Sequence, residues 1–502
     1  MGHVADLTQI VEPGVTLPTR HPRGLSTLFF TEMWERFSYY GMRALLVLFM
    51  VREVSKGGMG LTDEVATAIY GLYTAGVYLM ALPGGWISDR IFGAQKTVWY
   101  GGIIIALGHF TLAMPWTQTF YLGLILVVIG SGILKPNMSA LVGELYPEGG
   151  ARRDAGFTIF YMGVNLGAAL GPIACCYLAE RLSWHAGFAA AGVGMVLGLI
   201  QFRFSKHLLG SAGTASPHQH KRPGSVGMGI LAGIVAAVVG LIALCLTGWI
   251  VIYPPAIARY ASGVIVLIAA VYFAYVLLFL GLDRAEKKRI ALILVLFLAS
   301  ALFWAGFEQA GSSFNLFAER YTDRVIDMTG FVIPAGWFQA LGPVFVITLA
   351  PVMASLWVLL ARKNWNPSIP TKFGLGLLFL ALGFVVMAAA SGVVASGKPV
   401  IPVWLVATYL IHTVGELCLS PVGLSSVTKL APRKLVGQMM GFWFLATALG
   451  NLIAGLLAGT FSVDAIQQWP DMYLKITVLP IAAGLLLIVF SRLLKKLAPD
   501  VK

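Results

Sequence analysis

The sequence predicts an all-α integral membrane protein of about fourteen spanning helices, arranged as two six-helix bundles with a two-helix hairpin inserted between them. Three observations point there. Hydrophobic residues make up 58% of the 502 and charged residues only 11%, whereas a soluble domain carries roughly 25% charged residues. Apolar stretches recur from Leu25 to Leu494. The basic residues gather in alternate breaks between those stretches, the pattern of charge that sets membrane topology. The formal net charge of +13 is therefore assigned to topology, and no nucleic-acid partner is expected.

A spanning helix needs about 20 apolar residues. The candidate spans are 24–51, 65–88, 97–115, 120–141, 154–179, 184–204, 227–252, 257–281, 289–317, 335–361, 373–393, 400–428, 438–460 and 471–494. An even number puts both termini on one side. With the N-terminus inside, the cytoplasmic segments hold about 24 Lys and Arg and the outer ones about seven. Arg90 with Lys96, Arg152 with Arg153, the run Arg284, Lys287, Lys288 and Arg289, and Lys495 with Lys496 all fall inside, so both termini are expected in the cytoplasm. The first two dozen residues lack an apolar core, so no cleaved signal peptide is expected. Asp6 stands where N-myristoylation wants Ser or Thr.

The expected organisation is a cytoplasmic N-terminal segment (1–23), an N-terminal bundle (24–205), a cytoplasmic linker (206–225), the hairpin (226–285), a C-terminal bundle (286–495) and a cytoplasmic tail (496–502). The linker carries His207, His218 and His220, but their Gly, Ser, Ala and Pro flanks fit a solvated connector better than a metal site. The hairpin spans contain no acidic residue and one basic residue, Arg259, as befits lipid-facing helices. Cys175, Cys176, Cys245 and Cys418 lie inside apolar stretches without metal-ligand spacing, and neither a disulfide framework nor a metal or cofactor is expected. Leu134-Lys135-Pro136 with Val142 is echoed by Leu419-Ser420-Pro421 with Val427, in the fourth span of each half, where a duplicated bundle would place it.

Seven ionisable residues lie well inside the spans of the two bundles: Glu32, Glu35, Arg36, Arg43, Lys135, Glu308 and Glu416. Each costs roughly 2.5–3.5 kcal/mol at a helix centre on insertion scales unless it faces a wet cavity or a partner of opposite charge. Glu32, Glu35 and Arg36 stand at i, i+3 and i+4 on one face, which Tyr39, Tyr40 and Arg43 continue, a stripe about 16 Å long. A single buried salt bridge would explain one pair, but not the second carboxylate and the second guanidinium. A carboxylate that alternately pairs with Arg36 and takes up a proton is a coupling switch. Arg43 and Lys135 have no adjacent acid on their own helices and are suited to an anionic group, Arg by a bidentate fork and Lys as a point charge. Glu416, in the other half, is the counter-charge for an ammonium. Two opposite poles in one cavity suit a zwitterion. Tyr40, Tyr78, Trp304 and Trp443 can supply apolar walls with polar tips, and His412 reads as a core residue.

These residues also carry a family resemblance. Glu32-Met-Trp-Glu35-Arg36-Phe37-Ser38-Tyr39-Tyr40-Gly41 resembles the ExxERFxYYG signature of proton-dependent oligopeptide transporters, and Phe160-Tyr161-Met162-Gly163-Val164-Asn165-Leu166-Gly167 resembles that family's second signature. Gly85-x-x-x-Asp89-Arg90-x-x-Gly93-x-x-Lys96 is similar to the loop motif of the wider major facilitator superfamily. The resemblance implies the major facilitator fold, a central peptide cavity and alternating access. It assigns Glu32, Glu35 and Arg36 to proton coupling and Glu308 to a proton-linked gate with Lys135. Arg43 and Lys135 would hold the peptide carboxylate, Asn165 and Glu416 the amino group, and Tyr40, Tyr78, Trp304, Trp443 and Ser420 would line the pocket. The short outer loop near Ser391–Val400 implies a prokaryotic member, set in the inner membrane. One departure stands out: many members have Asn before the Pro in the span after Trp337, where this chain has Gly342.

The function so implied is proton-driven symport of di- and tripeptides by a protein that works as a monomer in membrane lipid. The alternative cargo on the same fold is another small solute, such as nitrate or a modified amino acid. Glu416 opposite Arg43 and Lys135 favours the zwitterion. An enzyme is not expected, because no nucleophile–base pair or intramembrane metal cluster is visible. A channel is not expected either, because no filter-like sequence occurs.

Overall fold

The computed structural model describes residues 20–147, 150–214, 252–363, 367–432, 435–461 and 463–498, with Trp365 and isolated positions between 229 and 249. The N-terminal half is six helices, α1 (Gly24–Val51), α2 (Asp63–Ile87), α3 (Ala94–Leu112), α4 (Thr117–Glu144), α5 (Gly150–Arg181) and α6 (Trp184–Ser205). After the linker comes α7 (Pro254–Phe279). The C-terminal half contains α8 (Arg284–Phe307), a 3-10 turn at Glu308–Gly311, the short α9 (Ser313–Tyr321), a two-stranded hairpin pairing Val325–Ile326 with Phe331–Val332, and a 3-10 turn at Ala335–Ala340. It continues through α10 (Leu341–Arg362), α11 (Ile369–Ala395), α12 (Val403–Leu430), α13 (Val436–Ala458), α14 (Trp469–Val489) and the terminal turn α15 (Ser491–Lys495).

Among the described residues, eleven helical segments are long and apolar enough to cross a bilayer. Two further helices, α1 of 28 residues with four charged side chains and α3 of 19 residues, complete the N-terminal bundle. Most of the predicted span 227–252, and residues 215–225 of the linker with His218 and His220, lie outside the described residues. The predicted span 289–317 lies within one apolar segment, Arg284–Tyr321, long enough to cross the bilayer, which is built of two helices. It breaks after Phe307, and Gln309 bridges the break by donating to the Ala454 carbonyl at 3.0 Å while accepting from Ser313 at 2.7 Å.

The halves repeat one packing scheme. In the first, α1 lies on α5 and α3 lies on α4 and α6; in the second, α8 lies on α13 and α11 lies on α12 and α14. Glycine lets the backbones meet. A Cβ at Gly123 would stand 2.8 Å from the Gly108 carbonyl across α3 and α4. One at Gly374 would stand 2.7 Å from the Gly484 carbonyl across α11 and α14. Close approach of small residues is how helices associate where the surrounding lipid is as apolar as the side chains. Between the halves, α2 packs on α13 and α5 on α10, while α7 covers the seam at α2 and α13 and exposes Tyr260, Leu278 and Phe279 outward.

The halves are clamped at the end that carries Val51, Asp63 and Arg181. Arg320 grips Asp63 by two bonds of 2.7 Å, Arg324 reaches Glu180 at 3.5 Å, and Arg52 reaches Glu319 at 3.2 Å. Arg324 also binds Glu319 at 2.7 Å, so these last four residues form one chain of charge. Backbone joins in: Asn315 donates to the Ala44 carbonyl at 2.9 Å, and the Ala335 amide donates to Glu180 at 3.0 Å.

Candidate functional site

The site begins on α1, whose length and helical spacing project Glu32, Glu35, Arg36, Tyr40 and Arg43 along one face. Arg36 lies between the two glutamates. Its guanidinium binds Glu32 at 2.7 Å and stands 3.2 Å from Glu35. All three are buried. Neither oxygen of Glu35 accepts a hydrogen bond among the described residues, nor does Oε2 of Glu32. The α1 stripe therefore holds two carboxylates for one guanidinium, one of them firmly bound and the other not.

Two turns further along α1, Arg43 crosses to the other half. Its Nη2 donates to Glu308 at 2.5 Å, its Nε donates to the Tyr70 hydroxyl at 2.6 Å, and the rings of Tyr40 and Tyr70 lie 5.4 and 5.5 Å from the guanidinium carbon. Both charges are buried. The break after α8 makes this contact possible, because it ends the helix at the level of Arg43 and turns Glu308 inward. Gly311 is needed in the same turn, since any side chain there would strike the Tyr70 hydroxyl. The structure therefore pairs Glu308 with Arg43 and not with Lys135, contrary to the expected gate partner. It also engages Arg43, which the sequence alone left free for an anion.

Lys135 is the cation left over. It is half-buried on α4 and forms no ion pair among the described residues. Its ammonium lies over two aromatic faces, 4.4 Å from the Tyr78 ring centre and 5.1 Å from that of Tyr39, close enough for cation–π attraction. Tyr78 thus faces the charge, as an aromatic wall would. Glu416 and Ser420 stand one turn apart on α12, both half-buried, and Glu416 forms no ion pair among the described residues. Of the seven ionisable residues inside the spans, one in each half forms no ion pair among the described residues, Lys135 on α4 and Glu416 on α12.

The remaining predicted residues divide. Asn165 is buried on α5, where its amide donates to the Tyr161 carbonyl at 2.9 Å. Trp304 has a buried indole N–H with no hydrogen-bond partner among the described residues, and its ring meets Phe307 edge-on at 5.4 Å. Trp443 is 7% exposed and packs against Phe373 at 6.2 Å, closer to a wall support than to an open face. His412 is a core residue: its ring Nε2 donates to the Leu380 carbonyl at 3.0 Å, and the ring lies among Phe307, Phe314 and Phe384. Beside Gly342, on α10, a Cβ would meet nothing within 4 Å.

Two features were missed in the sequence. Tyr70 was passed over as one of several tyrosines in an apolar helix, although an internal hydroxyl needs a partner and Arg43 was an unpartnered donor. The clamp residues Asp63, Glu180, Glu319, Arg320 and Arg324 sit at helix ends, where charge ordinarily marks the bilayer surface.

Comparison with known proteins supplies the family. The sequence profile of the POT family matches residues 95–472. The peptide transporter YePEPT of Yersinia enterocolitica subsp. palearctica serotype O:3 (strain YE-P4) is 43% identical over 489 residues, covering 93% of this chain and 94% of its own. A di-/tripeptide transporter of Lactococcus lactis subsp. cremoris is 32% identical over 497 residues, 96% of this chain and 97% of its own. A crystal structure of a peptide transporter POT in complex with sulfate superposes with a TM-score of 0.86 at 40% identity, covering 96% of this chain and 97% of that one. The chain is thus a multi-pass membrane protein of the major facilitator type, and it belongs to the POT family, the proton-dependent oligopeptide transporters.

Proposed function

We propose that the protein imports di- and tripeptides with protons across the bacterial inner membrane by alternating access, with both termini in the cytoplasm. The observation that carries this reading is the buried Arg43–Glu308 pair, which joins the two halves, together with two charges that form no ion pair among the described residues, Lys135 and Glu416. A peptide carboxylate arriving at Lys135 and Arg43 competes with Glu308 for the guanidinium, and a proton on Glu308 releases it. Glu416 and Asn165 receive the peptide amino group, and Tyr40, Tyr78, Trp304, Trp443 and Ser420 line the space between the poles. Glu35 carries the proton in the α1 stripe, because protonating it breaks no hydrogen bond, while Glu32 stays with Arg36. Under this topology the clamped end is the outer one, and the state described is shut to the outside.

The chain divides functionally into the N-terminal bundle at 24–205, the linker at 206–225, the hairpin at 226–285 and the C-terminal bundle at 286–495. The proposed working unit is the monomer. The names of the relatives from Yersinia and Lactococcus support peptide as the cargo over nitrate or a modified amino acid.

The test is reconstitution into proteoliposomes that are acidic outside. A labelled dipeptide is expected to accumulate inside above its outer concentration, and unlabelled dipeptides and tripeptides to compete while nitrate does not. Folded protein that merely equilibrates every dipeptide tried would refute symport.

A further inference from the structure

An apolar groove of about 510 Å³ runs along the flank of the C-terminal half, between α8, α13 and α14. Its floor is made by Ala301, Ala305 and Gly306, small residues on one face of α8. There α13 presses directly onto α8: a Cβ at Gly450 would stand 3.0 Å from both the Ala301 carbonyl and the Ala305 amide. Met472, Ile476 and Leu479 of α14 form the opposite wall. The groove therefore follows from α8 and α13 meeting backbone to backbone, while the longer side chains of α14 hold that helix away.

Only two polar side chains line it, Thr460 and Lys475. The Thr460 hydroxyl is used within its own turn, donating to the Leu457 carbonyl at 2.7 Å. Lys475 is exposed and forms no ion pair among the described residues, not even with Asp471 one turn earlier on α14. It lies six residues into α14, about 9 Å of helix rise from its first residue, at the end of the bundle where α13 finishes and α14 begins. Alone among the residues between Asp471 and Arg492 of this lipid-facing helix, it is charged. A lysine in that position extends its stem along apolar surface and holds its ammonium at headgroup level.

We infer that the groove binds one anionic phospholipid, its acyl chain lying along Ala301, Ala305 and Leu479 and its phosphate on Lys475. The site would touch transport through α8, because Gly306, on the groove floor, is two residues from Glu308. It stands independently of which solute the protein carries.

The test is native mass spectrometry of the full-length protein in detergent, titrated with phosphatidylglycerol and phosphatidylcholine of identical acyl chains. Wild type is expected to retain one phosphatidylglycerol in preference to phosphatidylcholine. Lys475→Gln is expected to lower that preference about fivefold, the equivalent of roughly 1 kcal/mol for one basic residue at an anionic lipid surface, and Lys475→Arg to keep it. Ala305→Phe, which fills the groove, should lose both lipids. Equal retention of the two lipids by wild type, an unchanged preference in Lys475→Gln, or full retention in Ala305→Phe would each overturn the site.

Discussion

Arg43 is bound twice, by the carboxylate of Glu308 and by the hydroxyl of Tyr70, both on other helices. Lys135, by contrast, has aromatic faces and no carboxylate among the described residues. If these two cations share the peptide carboxylate, their loss should not be equivalent. Lys135→Ala removes a ligand and leaves the inter-half pair intact, so peptide binding should weaken by tenfold or more, the effect of losing about 1.4 kcal/mol or above. Arg43→Ala also strands a buried Glu308, and breaking a buried pair from one side costs roughly 3–5 kcal/mol. It should therefore weaken binding and lower the melting temperature together, as paired dipeptide-binding and thermal-shift measurements would show. Unchanged binding in Lys135→Ala would move the carboxylate site elsewhere. Glu35→Gln should abolish gradient-driven uptake while leaving counterflow exchange, and surviving driven uptake would remove Glu35 from the proton path. The α1 stripe was readable in advance because Glu32, Glu35 and Arg36 are neighbours on a helix, where spacing dictates contact. The Arg43–Glu308 contact was not, because its partners are 265 residues apart and meet only through tertiary packing.

At the scale of the element, the interruption after α8 had no strong signal in the sequence. The stretch 289–317 is apolar and continuous enough for one span, and Gly306, Gly311 and the serines that follow are weak breakers beside that hydropathy. Eleven of the spans were legible, since length and apolarity decide them. The start of the linker shows what local spacing hides. Gly213 adopts φ +68°, its amide donates to the Glu144 carboxylate at 2.6 Å, and Gln95 grips the Ala212 carbonyl at 2.6 Å. A Cβ at Gly213 would press on Leu141 and stand 3.1 Å from the Ala94 methyl. Gly213→Ala should therefore destabilise the ends of α3 and α4 that meet the linker by about 1–3 kcal/mol, the range for a residue forced into a disfavoured backbone region. Its check is a lower melting temperature in detergent, with Glu144→Gln moving the same way by less; an unaltered melting curve in Gly213→Ala would deny the latch. Gly342→Asn meets open space and should fold normally, so any effect belongs to peptide selectivity in competition assays.

At the scale of the molecule, three ion pairs crossing between the halves hold one end of the transporter shut: Arg320–Asp63, Arg324–Glu180 and Arg52–Glu319. They are partly exposed, so each is weaker than Arg43–Glu308; Arg320 holds Asp63 by two bonds, and the other two pairs are joined through Arg324 and Glu319. Arg320→Ala should shift the population toward the state open at that end. A cysteine at Ser313, in a cysteine-free background, should then react faster with an impermeant maleimide added outside; an unchanged rate would place closure elsewhere. The repeated packing of the two halves, hinted at by Leu134-Lys135-Pro136 and Leu419-Ser420-Pro421, gives such a molecule two similar bodies that can rock about a central site. On the proposed mechanism a proton enters with each turnover through the α1 glutamates and Glu308. A pH-sensitive dye sealed inside proteoliposomes tests this most directly. Addition of an unlabelled dipeptide outside should acidify the lumen of vesicles holding the wild type and leave vesicles holding Glu35→Gln unchanged, whereas dipeptide entry without acidification in the wild type would contradict the account.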